Sequence, residues 1–376
     1  MRSAVVILSV AALVACSGRA IDRYVRNGDR DMSARKYAEA MIEYRNAIRL
    51  DPQSAALQRK LGDAAAALHD FVGAAIAYET AWRLTPADVA VAIKAGVAHL
   101  SFGDINGAAA LARELLLHDD GNVDAHLLLA RALLSGGDLR SAEKELRTAI
   151  GLAPTNPRPY ELLAELQRRA GNPAVAETLL VKATSLAPKD ASPRVALASL
   201  YFDTDRADQG EQQLRLALDN NPDDPEANRA YASLLVATDR CDDAEPYWLK
   251  VSSESTDASG KLSLADYYVY AARPDDALRV LTPLTTERDE GGAARMRVAS
   301  IYYDRGERDD AERVTDQVLA HEPDNTTALM MKSRLASDRG DRTAALEYAK
   351  HAARVAPDAP ATLNLLASLE KPAGVH

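Results

Sequence analysis

Aromatic side chains are scarce in this sequence. They make up 5% of its 376 residues, while the apolar total of 47% rests mostly on Ala and Leu. So much apolar content excludes a wholly disordered chain, and its Ala-Leu bias favours closely packed helices over sheets, which draw on Val, Ile, Tyr and Phe. Cysteine is nearly absent. Cys16 and Cys241 stand too far apart for a disulfide framework and are too few for a zinc quartet, and Cys241 reads as an ordinary free thiol near a turn. No block of Lys or Arg occurs and the net charge is −10, which argues against nucleic acid, whose binding rests on neutralised phosphates. The signatures HExxH, GxSxG, Walker and GxGxxG are all missing. The expectation is a protein that is not an enzyme and carries no cofactor and no metal.

The longest apolar run is Ala4 to Ala15, behind the short basic start Met1-Arg2-Ser3. A run of about a dozen is too short to span a bilayer, which needs roughly 20 apolar residues, but it has the proportions of a secretory signal core. Its end, Leu13-Val14-Ala15-Cys16, resembles the lipobox of bacterial lipoproteins. That resemblance implies cleavage before Cys16, lipid on Cys16, and a membrane contact made through the anchor alone. Ser17, where an aspartate would signal inner-membrane retention, implies an outer-membrane lipoprotein facing the periplasm. Residues 16–20 would then be a short lipidated tether.

Proline supplies a ruler for the rest. Pro52, Pro86, Pro154, Pro188, Pro222, Pro323 and Pro357 are separated by 34, 68, 34, 34, 101 and 34 residues, multiples of 34 save for one residue missing near Ser259. Counting proline as position 32, position 8 reads Gly28, Gly62, Gly96, Ala130, Ala164, Ala198, Ala232, Ala265, Ala299 and Ser333. Position 20 is Ala in nine repeats and Gly210 in the sixth. Small residues at two fixed positions let paired helices approach closely while larger neighbours fill the flanks. Gly- and Asp-rich turns such as Ser135-Gly136-Gly137-Asp138 supply the caps between the helices of a pair.

This pattern, with Leu61, Gly62, Ala74, Tyr78, Ala81 and Pro86 in repeat two and Leu197, Ala198, Tyr201, Leu214, Ala217 and Pro222 in repeat six, resembles the tetratricopeptide repeat (TPR). The resemblance implies an all-α fold, a right-handed α-solenoid of antiparallel helix pairs, the TPR superhelix. The expected organisation is a signal peptide over 1–15, the tether over 16–20, ten repeats over 21–359 and a capping helix and tail over 360–376. The pattern weakens over 252–292, where repeat seven lacks its proline, repeat eight is one residue short, and Pro283 is expected to kink a second helix. Asp119-Asp120 and Asp223-Asp224 lack calcium-loop spacing and read as helix caps. Glu161 and Glu165, beside Arg168 and Arg169, read as a solvated ion network.

The family binds protein or peptide partners in a groove lined by first helices, and this chain is expected to do the same. Positions 5, 9 and 12 share one helical face, mixed in most repeats but apolar in repeat three, at Ile93, Val97 and Leu100, and continued by Leu127 and Leu134 around Arg131 in repeat four. These six form the expected groove. The same residues could instead be buried between neighbouring first helices. A weaker second patch is Met296, Tyr303 and Met330. The stretch KYAEAMIEYRNAIRLDP resembles lipoproteins of exopolysaccharide export and envelope assembly, which implies a scaffold for such a machine. Two other readings are a periplasmic enzyme whose site has no recognisable motif, and a cytoplasmic co-chaperone. The latter needs Lys at position 5 and Asn at position 9, where this chain has Arg59/Asp63, Ile93/Val97 and Leu127/Arg131.

Overall fold

The computed structural model describes residues 2–255, 257–286 and 291–370, with side chains from Gly18 onward except at Gly291. Among the described residues there are helices and no strand. The chain divides into two compact bodies, Met1–Gly210 and Glu211–His376. In the first, helices pair as α1 (Arg2–Ser33) with α2 (Tyr37–Leu50), α3 (Ala55–Ala67) with α4 (Phe71–Leu84), and α5 (Val89–Ser101) with α6 (Ile105–His118). There follow α7 (Val123–Ser135) with α8 (Leu139–Leu152), α9 (Arg158–Arg169) with α10 (Pro173–Leu186), and α11 (Ser192–Asp203). Helix α12 (Ala207–Asn220) runs across the division. The second body pairs α13 (Pro225–Ala237) with α14 (Cys241–Glu254), α15 (Ser259–Tyr270) with α16 (Pro274–Leu284), α17 (Gly291–Asp304) with α18 (Arg308–His321), and α19 (Thr326–Asp338) with α20 (Arg342–Val355). A single helix α21 (Pro360–Glu370) packs on α20. Each body is an α-solenoid of helix pairs.

The small residues make this packing possible. Ala40, Ala74, Ala108 and Ala142 are fully buried, and so are Ala130, Ala232, Ala265 and Ser333. Side-chain oxygens start the helices where the turns lead them to be expected: Ser54, Asp88, Asn122, Asp224 and Asn325 cap first helices, and Asp70, Asp104, Asp138 and Asp341 cap second helices.

The turn inside each pair carries one residue with positive φ. These are Arg35, His69, Gly103, Gly137, Gly171, Asp205, Asp239, Ala272, Gly306 and Gly340. The 34-residue spacing holds throughout except between Asp239 and Ala272, which marks the missing residue by backbone geometry alone. Half of these sites carry a side chain in a region that costs an L-residue roughly 1–2 kcal/mol, so tertiary packing imposes the turn even where glycine is absent.

One expectation about irregularities changes. Pro283 does not kink a helix interior. It is the penultimate residue of α16, which has 11 residues where α14 and α18 have 14, so the proline shortens the helix. The interior proline is Pro246 of α14, whose missing N–H leaves the Asp242 carbonyl without its helical donor. At the other end, α1 runs through residues 16–20, the expected tether. Gly18 alone does not break a helix flanked by good helix formers. Residues 256 and 287–290 of the weakened stretch, and the tail after Glu370, lie outside the described residues.

Candidate partner-binding groove

From the third repeat onward in the first body, a first helix touches the first helix of the next repeat, α5 on α7, α7 on α9 and α9 on α11. Their shared surface is a groove, and its lining changes along the chain. At its start the lining is polar and closed. The Tyr44 hydroxyl donates to Asp29 Oδ1 at 2.7 Å, and Lys60 Nζ donates to the same oxygen at 2.6 Å. One repeat later Tyr78 donates to Asp63 Oδ1 at 2.8 Å and Lys94 Nζ at 2.7 Å. Burial first, then the bond to the carboxylate, pushes each tyrosine hydroxyl well above its ordinary pKa. Each ammonium also lies over the tyrosine ring, at 5.8 and 5.5 Å.

The next step of the same ladder is Val97, Ala112 and Leu128. The space relation behind the exchange is specific. A Cβ on Gly28 would meet Tyr44 ring carbons at 2.5 Å, and one on Gly62 would meet the Tyr78 ring at 2.6 Å. At Gly96 the same room is filled by the Leu128 side chain, whose Cδ2 a Cβ would meet first. Glycine at position 8 therefore accommodates a ring twice and an aliphatic side chain the third time.

Where the polar ladder stops, two hollows open. One, of about 350 Å³, is lined by Ile93, Val97, Leu127, Leu128 and Leu162, with Asp124, Arg131, Arg158 and Glu161 at its polar edge. The other, of about 230 Å³, lies against Phe71 and Tyr78. Ile93 and Val97 border both, so they form the ridge between them. Among the described residues no side chain pairs with the Arg131 or Arg158 guanidinium, and both residues are exposed. Such a site offers apolar contact to a side chain and two cations to a carbonyl or carboxylate.

A tetratricopeptide-repeat family model matches residues 99–166, 167–245 and 268–335, more than half of the chain, and a second tetratricopeptide model matches 25–89. The chain belongs to the tetratricopeptide-repeat family. TPR proteins are protein–protein interaction scaffolds and generally not catalysts. Among solved structures, the chain is similar to a thermophilic TPR protein of Thermus thermophilus, at 23% identity over 49% of this chain and 100% of that one with a TM-score of 0.44. It is also similar to a TPR protein of Parabacteroides merdae, at 20% identity over 66% and 99% with a TM-score of 0.47, and to yeast Tom70, at 15% identity over 94% and 88% with a TM-score of 0.46. No curated protein is similar enough to count as a match.

The TPR register assigns the expected site residues to different surroundings. Ile93, Val97 and Arg131 border the first hollow. Leu127 reaches it too, but is buried, with its side chain in the core formed with Leu146 and Leu163. Leu134 lies wholly in that core, and Leu100 packs against the neighbouring cluster around Ala108 and Leu128. Position 12 thus points between helices. The groove uses positions 2, 5, 6 and 9, one turn closer to the helix start, and so includes Asp124, Arg158, Leu128 and Leu162, which the sequence reading passed over.

The second patch is not a free surface. Met296 is buried, Met330 is half-buried, and the Tyr303 ring is covered by the Arg308 guanidinium 3.7 Å from its centre. Burial and a hydrogen bond to Asp338 push the Tyr303 hydroxyl up. Asp224 caps α13 and Asp223 pairs with Lys250 at 2.8 Å, while Asp119 accepts from the Gly121 amide. Glu165 holds Arg168 and Arg169, and Glu161 accepts from Ser192 Oγ. Among the described residues no cluster of three His, Cys, Asp or Glu could hold a metal ion, and no helix is long and apolar enough to cross a membrane. The Cys16 side chain lies outside the described residues.

Proposed function

We propose that this chain is a lipid-anchored scaffold that grips an apolar peptide or helix of a partner protein in the hollow lined by α5, α7 and α9. The observation that carries this reading is the unpaired Arg131 and Arg158 at the edge of a hollow lined by Ile93, Val97 and Leu162. Burying two or three apolar side chains there contributes about 1.5–3 kcal/mol each, and a carboxylate or carbonyl on the partner satisfies the guanidiniums. The lipobox tetrad and Ser17 support acylation at Cys16 and an outer-membrane position facing the periplasm. The likeness of the first repeat to export-system lipoproteins supports a place in exopolysaccharide export or envelope assembly.

Val97→Glu places a charge on the ridge between the hollows without touching the small-residue seams. Partner recovery from the cell envelope should fall at least about tenfold while the thermal melt stays within a degree or two of wild type. A melt that collapses would make the ridge core, and unchanged recovery would move the site elsewhere. Cys16→Ala should leave an unprocessed precursor that takes up no labelled palmitate. Uptake by that variant would remove the anchor from the account.

A further inference from the structure

The beginning of the chain is basic although the whole is acidic. Nine of the first fifty residues are Lys or Arg against five Asp or Glu, in a chain of net charge −10. Four of those cations are arranged by one helix. Arg19, Arg23, Arg26 and Arg30 follow each other along α1 at i, i+4, i+7 and i+11, so they share one face, and all four are exposed. The opposite face is committed to packing: Gly28 is buried against the Tyr44 ring and Met32 packs on the core. Among the described residues, Arg19 and Arg26 have no ionic partner, Arg23 lies 5.0 Å above its neighbour Tyr24, and Arg30 reaches Asp31 at 3.3 Å. Asp22 is the one exposed acid between them. On α2, Arg45 and Arg49 are exposed too, beside Ile42, which is 56% exposed.

We infer that the arginine face of α1 binds the phosphate headgroups of anionic phospholipids and lays the first repeat against the membrane. Charge complementarity and position select this occupant. The stripe begins three residues after Cys16, directly behind the apolar run Ala4 to Ala15, so the bilayer is the nearest surface. Basic side chains near an anionic leaflet are each attracted by it, and a basic face beside an anchor makes the second signal that fixes a peripheral helix in place. A lipid anchor alone leaves the first repeat free to turn about it, whereas a bound arginine face sets the direction in which the solenoid starts. The inference deepens the anchoring part of the proposed function and relies on it only for where the bilayer lies.

The test uses the full chain reconstituted in vesicles, with Cys241→Ser and a spin label on Asp22→Cys to report from the arginine face. On phosphatidylcholine vesicles containing roughly 30% phosphatidylglycerol, collisions with an aqueous nickel quencher should be roughly threefold rarer than on phosphatidylcholine alone. Replacing the four arginines with Gln should remove that protection, and about 500 mM NaCl should do the same. Equal accessibility on both vesicles, or protection that survives the four substitutions, overturns the inference. So does protection lifted by inorganic phosphate far better than by chloride of equal ionic strength, which would make the stripe a free-anion site, or protection that depends on protein density, which would make the occupant a second copy. Acyl labelling at Cys16, read separately, tells failure of the anchor from failure of the stripe.

Discussion

Repeats one and two and repeats three and four present the same backbone positions to the groove and fill them with opposite chemistry. In the first pair Asp29, Tyr44 and Lys60, then Asp63, Tyr78 and Lys94, satisfy one another. In the second, Val97, Ala112 and Leu128 take those places, and among the described residues no side chain pairs with the nearby Arg131 or Arg158. A repeat protein can thus change the lining of its groove by exchanging three side chains on a constant scaffold, and in the polar stretch beside it the side chains already satisfy one another.

The largest expected effect comes from the glycines that make the exchange possible. Gly62→Ala drives a Cβ into the Tyr78 ring and should cost about 1–3 kcal/mol, seen as a lower melting temperature. Gly96→Ala meets the Leu128 side chain from Cγ outward, which can turn to another rotamer where a flat ring cannot, and should cost less, about 1 kcal/mol. Equal losses would contradict the idea that the same room is used in two ways. Next, Tyr78→Phe removes one donor from Asp63, which keeps Lys94, and should cost roughly 1–2 kcal/mol. A larger fall would mean that the ring itself is held less firmly than its burial implies.

Charge separates polar from apolar stretches by pH. In the second body Glu312 accepts from Lys332 at 2.7 Å and from Arg339. The Arg339 and Lys332 bonds hold its carboxyl down at about 2. Because the folded pKa is depressed, this stabilisation is present above the ordinary value near 4.5 and is lost as pH falls from there toward 2. Glu312→Gln should lower the melting temperature at pH 7, and the gap to wild type should close over that window. Val97→Ala should show no such closure.

The smallest effect concerns the constant backbone. Ala272 is held at φ 54°, so Ala272→Gly should stabilise by up to about 1 kcal/mol. A loss of stability would mean that the alanine methyl makes a contact worth more than the strain.

Much of this was legible in the sequence. Small residues at positions 8 and 20 and the proline ruler gave the helix pairs, because close approach tolerates few residue types. Capping Asp, Asn and Ser residues were readable for the same reason. The turns at Arg35 and Ala272 were not, since nothing in those residue types announces positive φ. Nor were Asp124 and Arg158, because positions 5, 9 and 12 satisfy helical periodicity as well as 2, 5, 6 and 9 do. Only the neighbouring helix, which buries Leu134 and leaves Arg158 exposed, decides between those two faces.

The most direct test moves the polar lining into repeat three. Val97→Asp, Ala112→Tyr and Leu128→Lys together rebuild the ladder beside Gly96, where room for the ring exists. The triple variant should melt within roughly 1 kcal/mol of wild type, since each new polar group finds its partner, and should lose the partner that wild type recovers from the envelope. A folded triple variant that still recovers its partner would contradict the claim that the apolar break is the binding site.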